Sequence, residues 1–364
     1  MSQAFRELLK TIGSGPHTGK NLDRSQAAEA MRLMLTQAAT PAQIGAFLIA
    51  HRIKRPTGEE LAGMLDAYAA LGPRFGPIAS ERPVVSFGIP YDGRSRTAPL
   101  GIVTALILAT AGIPVLLHGG DRMATKYGLT LTELWQALGV DWTPASLDDL
   151  RHTLEQQQIA FCYVPKHFPE TIALTTYRDE IGKRPPLATL ELLWSPYEGP
   201  QHRVMGFVHP PTELMMREAL AMHAIEDFTT VKGLEGSPDL PHDRTVIAGL
   251  AQAGRFDRLC LNPWDLGYSQ PNLPLQEPIA LAQQMETVLQ GKASDWRSSV
   301  IWNAGFYLWR LERPSDQGSA APAVSDLGVP DFGVPDLRAS FQRAAEILDR
   351  GLAWDRLQAL RSIR

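Results

Sequence analysis

Residues Val84–Gly139 read VVSFGIPYDGRSRTAPLGIVTALILATAGIPVLLHGGDRMATKYGLTLTELWQALG. An apolar run ends in the glycine-bearing loop Gly88–Gly93, a long apolar stretch follows, and a second apolar run ends in His118-Gly119-Gly120. Two apolar strands joined by an apolar helix make a β-α-β unit. In open α/β sheets ligands bind at the carboxyl ends of the strands. Glycines there let bare backbone N–H groups approach a phosphate. The segment therefore predicts both a site and an anionic ligand.

The alternation continues outward from this unit. Val84–Ile89, Ile113–Leu117, Ile159–Val164, Phe228–Val231 and Arg258–Leu261 read as strands. Thr97–Ala111, Leu131–Leu138, Thr212–His223, Ala280–Leu289, Arg297–Leu311 and Ser340–Asp349 read as helices. Such a pattern predicts an α/β fold with a mostly parallel central sheet covered by helices. Residues 1–72 read differently, as an all-helical unit. Thr40-Pro41-Ala42-Gln43 and Thr57-Gly58-Glu59-Glu60 are capping boxes, and Thr130 with Glu133 makes a third. Ile44, Phe47 and Leu48, then Leu61, Met64, Leu65 and Tyr68, give helical stripes behind the first two boxes. Gly72–Pro77 is a turn-rich linker. Two domains are expected, 1–72 helical and 78–364 α/β, with 314–335 a low-complexity, flexible insertion.

A chain of 364 residues with 44% apolar content has ample core for two domains. Its net charge of −4 is unlike that of a domain made basic throughout for nucleic acid, which leaves only a local basic groove for that role. The two cysteines, Cys162 and Cys260, fit no zinc spacing and read as free thiols. The opening residues MSQAFRELLKTIGSG lack the apolar core of a secretory signal. The longest apolar run, Ile102–Ala111, is shorter than the roughly 20 residues a membrane span needs. A cytoplasmic protein without a membrane partner is expected.

The text ATPAQIGAFLIAHRIKRPTGEELAGM, the segment Leu117–Gly128 with His118-Gly119 and Lys126-x-Gly128, Arg178-Asp179-Glu180-Ile181-Gly182, and the closing Trp302-Asn303-Ala304 and GLAWDRLQAL together resemble the anthranilate phosphoribosyltransferase family, glycosyltransferase family 3. The resemblance implies a nucleoside phosphorylase/phosphoribosyltransferase-like fold, a helical-domain homodimer, phosphoribosyl diphosphate as donor, Mg²⁺, and an aromatic or heterocyclic acceptor. The departures are informative. The family's Gly-Thr-Gly-Gly-Asp-Gly loop is here Gly88-Ile89-Pro90-Tyr91-Asp92-Gly93. Pro90 removes an N–H and Tyr91 adds bulk. Pro99, Gly101 and Ile102 stand where the family supplies polar donors. Lys232-Gly233-Leu234-Glu235-Gly236-Ser237-Pro238-Asp239 replaces the metal-binding turn, with Glu235 and Asp239 as the surviving metal candidates. In these losses the chain is similar to a divergent branch of the family, which keeps the fold and includes a bacterial member associated with nucleic-acid binding.

The candidate substrate and phosphate residues are Gly88, Asp92, Gly93, Arg94, Arg96, His118, Gly119, Lys126, Arg178 and Lys232. Gly88–Gly128 holds four basic residues against two acidic ones. Guanidinium forks pair with phosphate bidentately, so Arg94 and Arg96 replace part of what the glycines lost. The competing reading makes them solvated, or partners of Asp92. Asp-Gly is also a common turn pair, His118 equally suits a structural strand end, and Arg178 a solvated helix terminus. Pentosyl transfer needs positioning and charge stabilisation rather than a protein nucleophile, and no nucleophilic triad is visible. Two functions follow. One is a phosphoribosyltransferase-type enzyme with anthranilate activity weak or lost. The other is a non-catalytic binder of single-stranded nucleic acid using Arg94, Arg96, Arg122, Lys126, Lys183 and Arg184. A nucleoside phosphorylase fits less well, because it needs the same phosphate loop.

Overall fold

The computed structural model describes residues 2–15, 17–312, 323–324, 330–331 and 337–362. Four helices open the chain: α1 (Gln3–Gly13), α2 (Arg24–Leu35), α3 (Pro41–Lys54) and α4 (Gly58–Leu71). The expected boxes at Thr40 and Thr57 cap α3 and α4 in both directions, and Asp23 with Gln26 does the same for α2. Each satisfies backbone N–H groups that a helix start leaves unpaired.

The sheet has seven strands: β1 (Val84–Gly88), β2 (Val115–Gly119), β3 (Ile159–Tyr163), β4 (Gln201–Gly206), β5 (Phe228–Val231), β6 (Val246–Gln252) and β7 (Arg255–Leu261). Their order is β3-β2-β1-β4-β5-β6-β7. The first five run parallel, β6 pairs antiparallel with β5, and β7 antiparallel with β6. Helices cover the sheet, so β1 and β2 are buried along their whole length. The apolar helix α5 (Gly101–Thr110) and the helix Arg297–Leu311 lie in the same core as these strands.

Three expectations need correction. The central strand β4 and the strand β6 are absent from the sequence-predicted set. β4 opens with Gln201, His202 and Arg203, polar residues that hide a buried strand. Inside, His202 Nε2 lies 2.9 Å from Thr229 Oγ1 and Arg203 donates to the Leu193 carbonyl. The helix expected from Thr97 starts at Gly101 instead, because the N–H groups of Thr97 and Leu100 donate to Glu235 and Asp239. The division at 72–78 describes the chain only in part. Residues 164–193 return to the helical layer, burying Phe168, Leu190 and Leu193 in one cluster with Phe5, Phe47 and Tyr68. Of the segment 314–335, read as a flexible insertion, only the short ladder Ala323–Val324 with Pro330–Asp331 is described; that reading otherwise lies outside the described residues. Among the described residues no helix is long and apolar enough to cross a membrane.

Candidate functional site

The strand order reverses direction between β1 and β4, and a crevice at such a switch point is where open α/β sheets bind ligands. Three loops meet there, 89–100 after β1, 120–130 after β2 and 232–239 after β5. Two glycines fix their approach. A Cβ on Gly88 would stand 2.0 Å from the Leu192 carbonyl oxygen, so only glycine lets β1 touch the helical layer. Gly93 has φ +76°, and its neighbour Gly128 donates its N–H to the Asp92 carbonyl at 2.9 Å. The Arg94 and Leu129 backbones exchange bonds of 2.9 and 2.8 Å, tying the β1 loop to the β2 loop.

On one side of the β1 loop the backbone donors are already engaged. Glu235 sits in the left-handed region at φ +55°, a strained geometry for a residue with a Cβ. Its Oε2 accepts from the Ser95 N–H at 3.0 Å, and its Oε1 accepts from the Arg96 and Thr97 N–H groups at 3.1 and 3.0 Å. Consecutive N–H groups converging on one carboxylate form an anion nest. Earlier in the loop, Tyr91 N–H donates to Glu191 Oε2 at 3.0 Å and Gly93 N–H to the Pro90 carbonyl at 3.2 Å. Burial would raise the Glu235 carboxyl. The Ser95 N–H, the Arg94 guanidinium and the Thr97 N–H together outweigh it and hold the group at about 2.

Arg94 lies on this same side, buried rather than facing a ligand. Its Nη1 donates to Asp239 Oδ2 at 2.8 Å and to the Ser237 hydroxyl, its Nη2 donates to the Thr97 hydroxyl, and its Nε lies 3.4 Å from Glu235 Oε1. Asp239 Oδ2 also accepts the Leu100 N–H at 3.1 Å, at the start of α5. The two metal candidates, Glu235 and Asp239, are thus brought together, but across a guanidinium. Among the described residues no group of three or more His, Cys, Asp or Glu side chains could hold a metal ion. The donor set does not fit a divalent cation as it stands.

The other side of the loop is less satisfied. Asp92 is fully buried, yet neither carboxylate oxygen has a hydrogen-bond partner. Lys126 Nζ stands 3.7 Å from Asp92 Oδ1 and Arg184 Nε stands 3.9 Å from Oδ2. Arg178 pairs through Nη1 with Glu191, while its Nε and Nη2 are without hydrogen-bond partners, as are Nε and Nη2 of Arg184. Buried charges without close partners are costly. An anion here would meet several convergent donors.

A small cavity of about 20 Å³ lies between the sides, lined among others by Tyr91, Arg94, His118, Gly119, Thr130 and Asp239. That is room for about one water. His118 is the last-but-one residue of β2, with Nδ1 2.6 Å from the Tyr91 hydroxyl and its ring edge-on to Trp194 at 5.5 Å. Burial, with the Arg203 charge adding to it, pushes the His118 imidazole down to about 3, so it stays neutral. Burial also raises the Tyr91 phenol well above its ordinary value.

The structure gathers Gly88, Asp92, Gly93, Arg94, His118, Gly119, Lys126, Arg178, Glu235 and Asp239 around one crevice. Arg96 is exposed at its rim and makes no side-chain hydrogen bond or ion pair among the described residues. Lys232 is half-buried beyond β5, and its N–H donates to the Ile247 carbonyl at 2.9 Å. Glu191 and Trp194 escape the sequence reading. The available signal was a lone carboxylate inside the apolar run Leu190-Glu191-Leu192-Leu193-Trp194.

With this geometry in hand, comparison with known proteins is direct. The helical bundle domain of the glycosyl transferase family matches residues 6–72, and the a/b domain of that family matches residues 93–353. Anthranilate phosphoribosyltransferase from Mycobacterium ulcerans (strain Agy99) is 28% identical over 341 residues, covering 92% of this chain and 87% of the relative. That from Anaeromyxobacter sp. (strain Fw109-5) is 29% identical over 345 residues, covering 93% and 94%. Among solved structures, anthranilate phosphoribosyltransferase from Thermus thermophilus superposes with a TM-score of 0.76 at 20% identity, covering 99% of both chains. The Saccharomyces cerevisiae enzyme in complex with PRPP and Mg gives 0.77 at 15% identity, covering 99% of this chain and 97% of that one. The structural likenesses show the fold.

Proposed function

Because the chain belongs to the glycosyl transferase family of these two domains, that of the anthranilate phosphoribosyltransferases, we propose that it keeps the pentosyltransferase scaffold with a self-filled donor loop. Phosphoribosyl transfer to anthranilate is then weak or lost, and a phosphate-bearing ligand binds on the Asp92–Arg184 side. One observation carries this reading. The Glu235 carboxylate takes the Ser95, Arg96 and Thr97 N–H groups, the backbone donors that directly follow the loop Gly88–Gly93. A charged ligand entering that nest must first displace a carboxylate held at about 2, a cost added to the close approach lost at Pro90 and Tyr91. The unsatisfied donors of Arg178 and Arg184, with Lys126 beside them, support binding on the opposite side.

The test incubates the full chain with phosphoribosyl diphosphate, Mg²⁺ and anthranilate and follows product. No turnover above background is expected; robust turnover contradicts the reading. A parallel titration with inorganic diphosphate is expected to weaken about tenfold in Arg184→Ala, the loss of one charge-assisted contact.

One observation favours nucleic acid as the polymeric form of that ligand. Arg52 of α3 donates to the Arg184 carbonyl, so exposed Arg52 and Lys183 extend the Lys126–Arg184 cations along both domains. Single-stranded DNA binding through these residues is expected to fall steeply with salt by counterion release. A flat salt response sinks that form. A homodimer through the N-terminal helices belongs to the same proposal, with light scattering as its check.

A further inference from the structure

We propose that Arg94 is the resident cation of the Glu235–Asp239 pair, so that this chain takes no divalent metal there. The family resemblance leads one to expect Mg²⁺ between these carboxylates, and the residues present disagree with it in three ways. First, the place between them is filled by a covalently tethered charge: the Arg94 side chain is 4% exposed, 2.8 Å from Asp239 and 3.4 Å from Glu235. Second, three of the four carboxylate oxygens are committed. Glu235 spends both on the backbone of residues 95–97, and Asp239 Oδ2 is shared by Arg94 and the Leu100 N–H. Hard divalent cations want six or more oxygen ligands and keep several waters, whereas a guanidinium wants planar acceptors, which these carboxylates supply. Third, the guanidinium is fixed in place by the Ser237 and Thr97 hydroxyls, which accept from its Nη1 and Nη2 and so occupy the neutral oxygens that a cation would need.

Arg94 also performs the mechanical task of a bridging ion. It joins the β1 loop to the turn after β5, and the Glu235 nest closes the same seam from the other direction. Lys126 Nζ adds a second positive charge 3.8 Å from Glu235 Oε2. The pair is therefore compensated within the chain, and a free cation gains little by entering. This inference concerns only the Arg94 seam and holds whichever ligand binds beside Asp92.

The test uses Mn²⁺ as probe, with electron paramagnetic resonance reporting free ion and thermal unfolding reporting stability. The unsubstituted chain is expected to leave the free Mn²⁺ signal and the melting temperature unchanged. Arg94→Ala uncovers the carboxylates and is expected to gain one saturable Mn²⁺ site, with Mn²⁺ raising its lowered melting temperature. Arg94→Ala/Asp239→Asn is expected to lose that site again. Arg94→Lys, which keeps a tethered charge and folds more readily, is expected to bind no Mn²⁺. Stoichiometric Mn²⁺ uptake by the unsubstituted chain that Glu235→Gln abolishes overturns the proposal. So does a folded Arg94→Ala chain that gains no site.

Discussion

The two sides of the loop Gly88–Thr97 draw on the same residue types and reach opposite conditions. On the Arg94 side, a guanidinium, two carboxylates, three hydroxyls and four backbone N–H groups bond to one another, and only Arg94 Nε is left at ion-pair distance from Glu235. On the Asp92 side Arg178 pairs with Glu191, but Lys126 and Arg184 approach the Asp92 and Glu191 carboxylates only to 3.7–3.9 Å, and buried polar atoms are left without hydrogen-bond partners. Ionic groups that satisfy one another rigidify a seam. Ionic groups held just apart by their scaffold are ready for a ligand. The lesson is that a cluster of charges at a strand end reads as a binding site only after its internal bonds are accounted for.

Breaking the closed side has the largest expected effect. Arg94→Ala leaves two buried carboxylates facing each other and should lower unfolding free energy by about 3–5 kcal/mol, read from urea denaturation. A change below about 1 kcal/mol would mean that the pair behaves as a surface bridge, and the comparison would collapse. Acid separates the sides next. Glu235 titrates at about 2 when folded against 4.5 when free, so its stabilisation is complete above pH 4.5 and is lost as pH falls through 2. Glu235→Gln should flatten that acid limb by about 2 kcal/mol after screening. Glu60, held at about 2 in the helical unit, supplies the part that remains.

Much of this architecture is legible in the residues. The capping boxes at Thr40, Thr57 and Thr130 appear where the side-chain chemistry puts them. The β-α-β unit follows from apolar run length and glycine placement. What hides is what tertiary contact overrides. β4 is masked by Arg203, whose buried charge reads as a surface residue until the Leu193 carbonyl is brought to it. The true start of α5 depends on carboxylates 138 and 139 residues away, as the Glu235 and Asp239 bonds to Thr97 and Leu100 show. Arg94 and Arg96 read alike in sequence as basic loop residues, yet one is buried and the other exposed. Their difference comes from Ser237, Asp239 and Thr97, which close on the Arg94 guanidinium, and no local pattern records it.

A smaller perturbation sharpens the comparison between the sides. Tyr91→Phe removes the hydroxyl beside His118 Nδ1 at the floor of the crevice, and about 1 kcal/mol of stability should go with it. Because His118 stays neutral, held at about 3 against 6.5 when free, the folded chain's His118 contribution is complete above pH 6.5 and declines as pH falls toward 3. Tyr91→Phe should leave Arg94-side stability to acid unchanged. A coupled loss of both would show that the two sides are one network.

The backbone nest at residues 95–97 is filled by the chain's own Glu235. Calorimetric titration of the full chain with phosphoribosyl diphosphate, with and without Mg²⁺, tests it most directly. Heats from binding on the Asp92–Arg184 side are expected to be the same with the metal as without it. Saturable, stoichiometric binding that requires Mg²⁺ would contradict it.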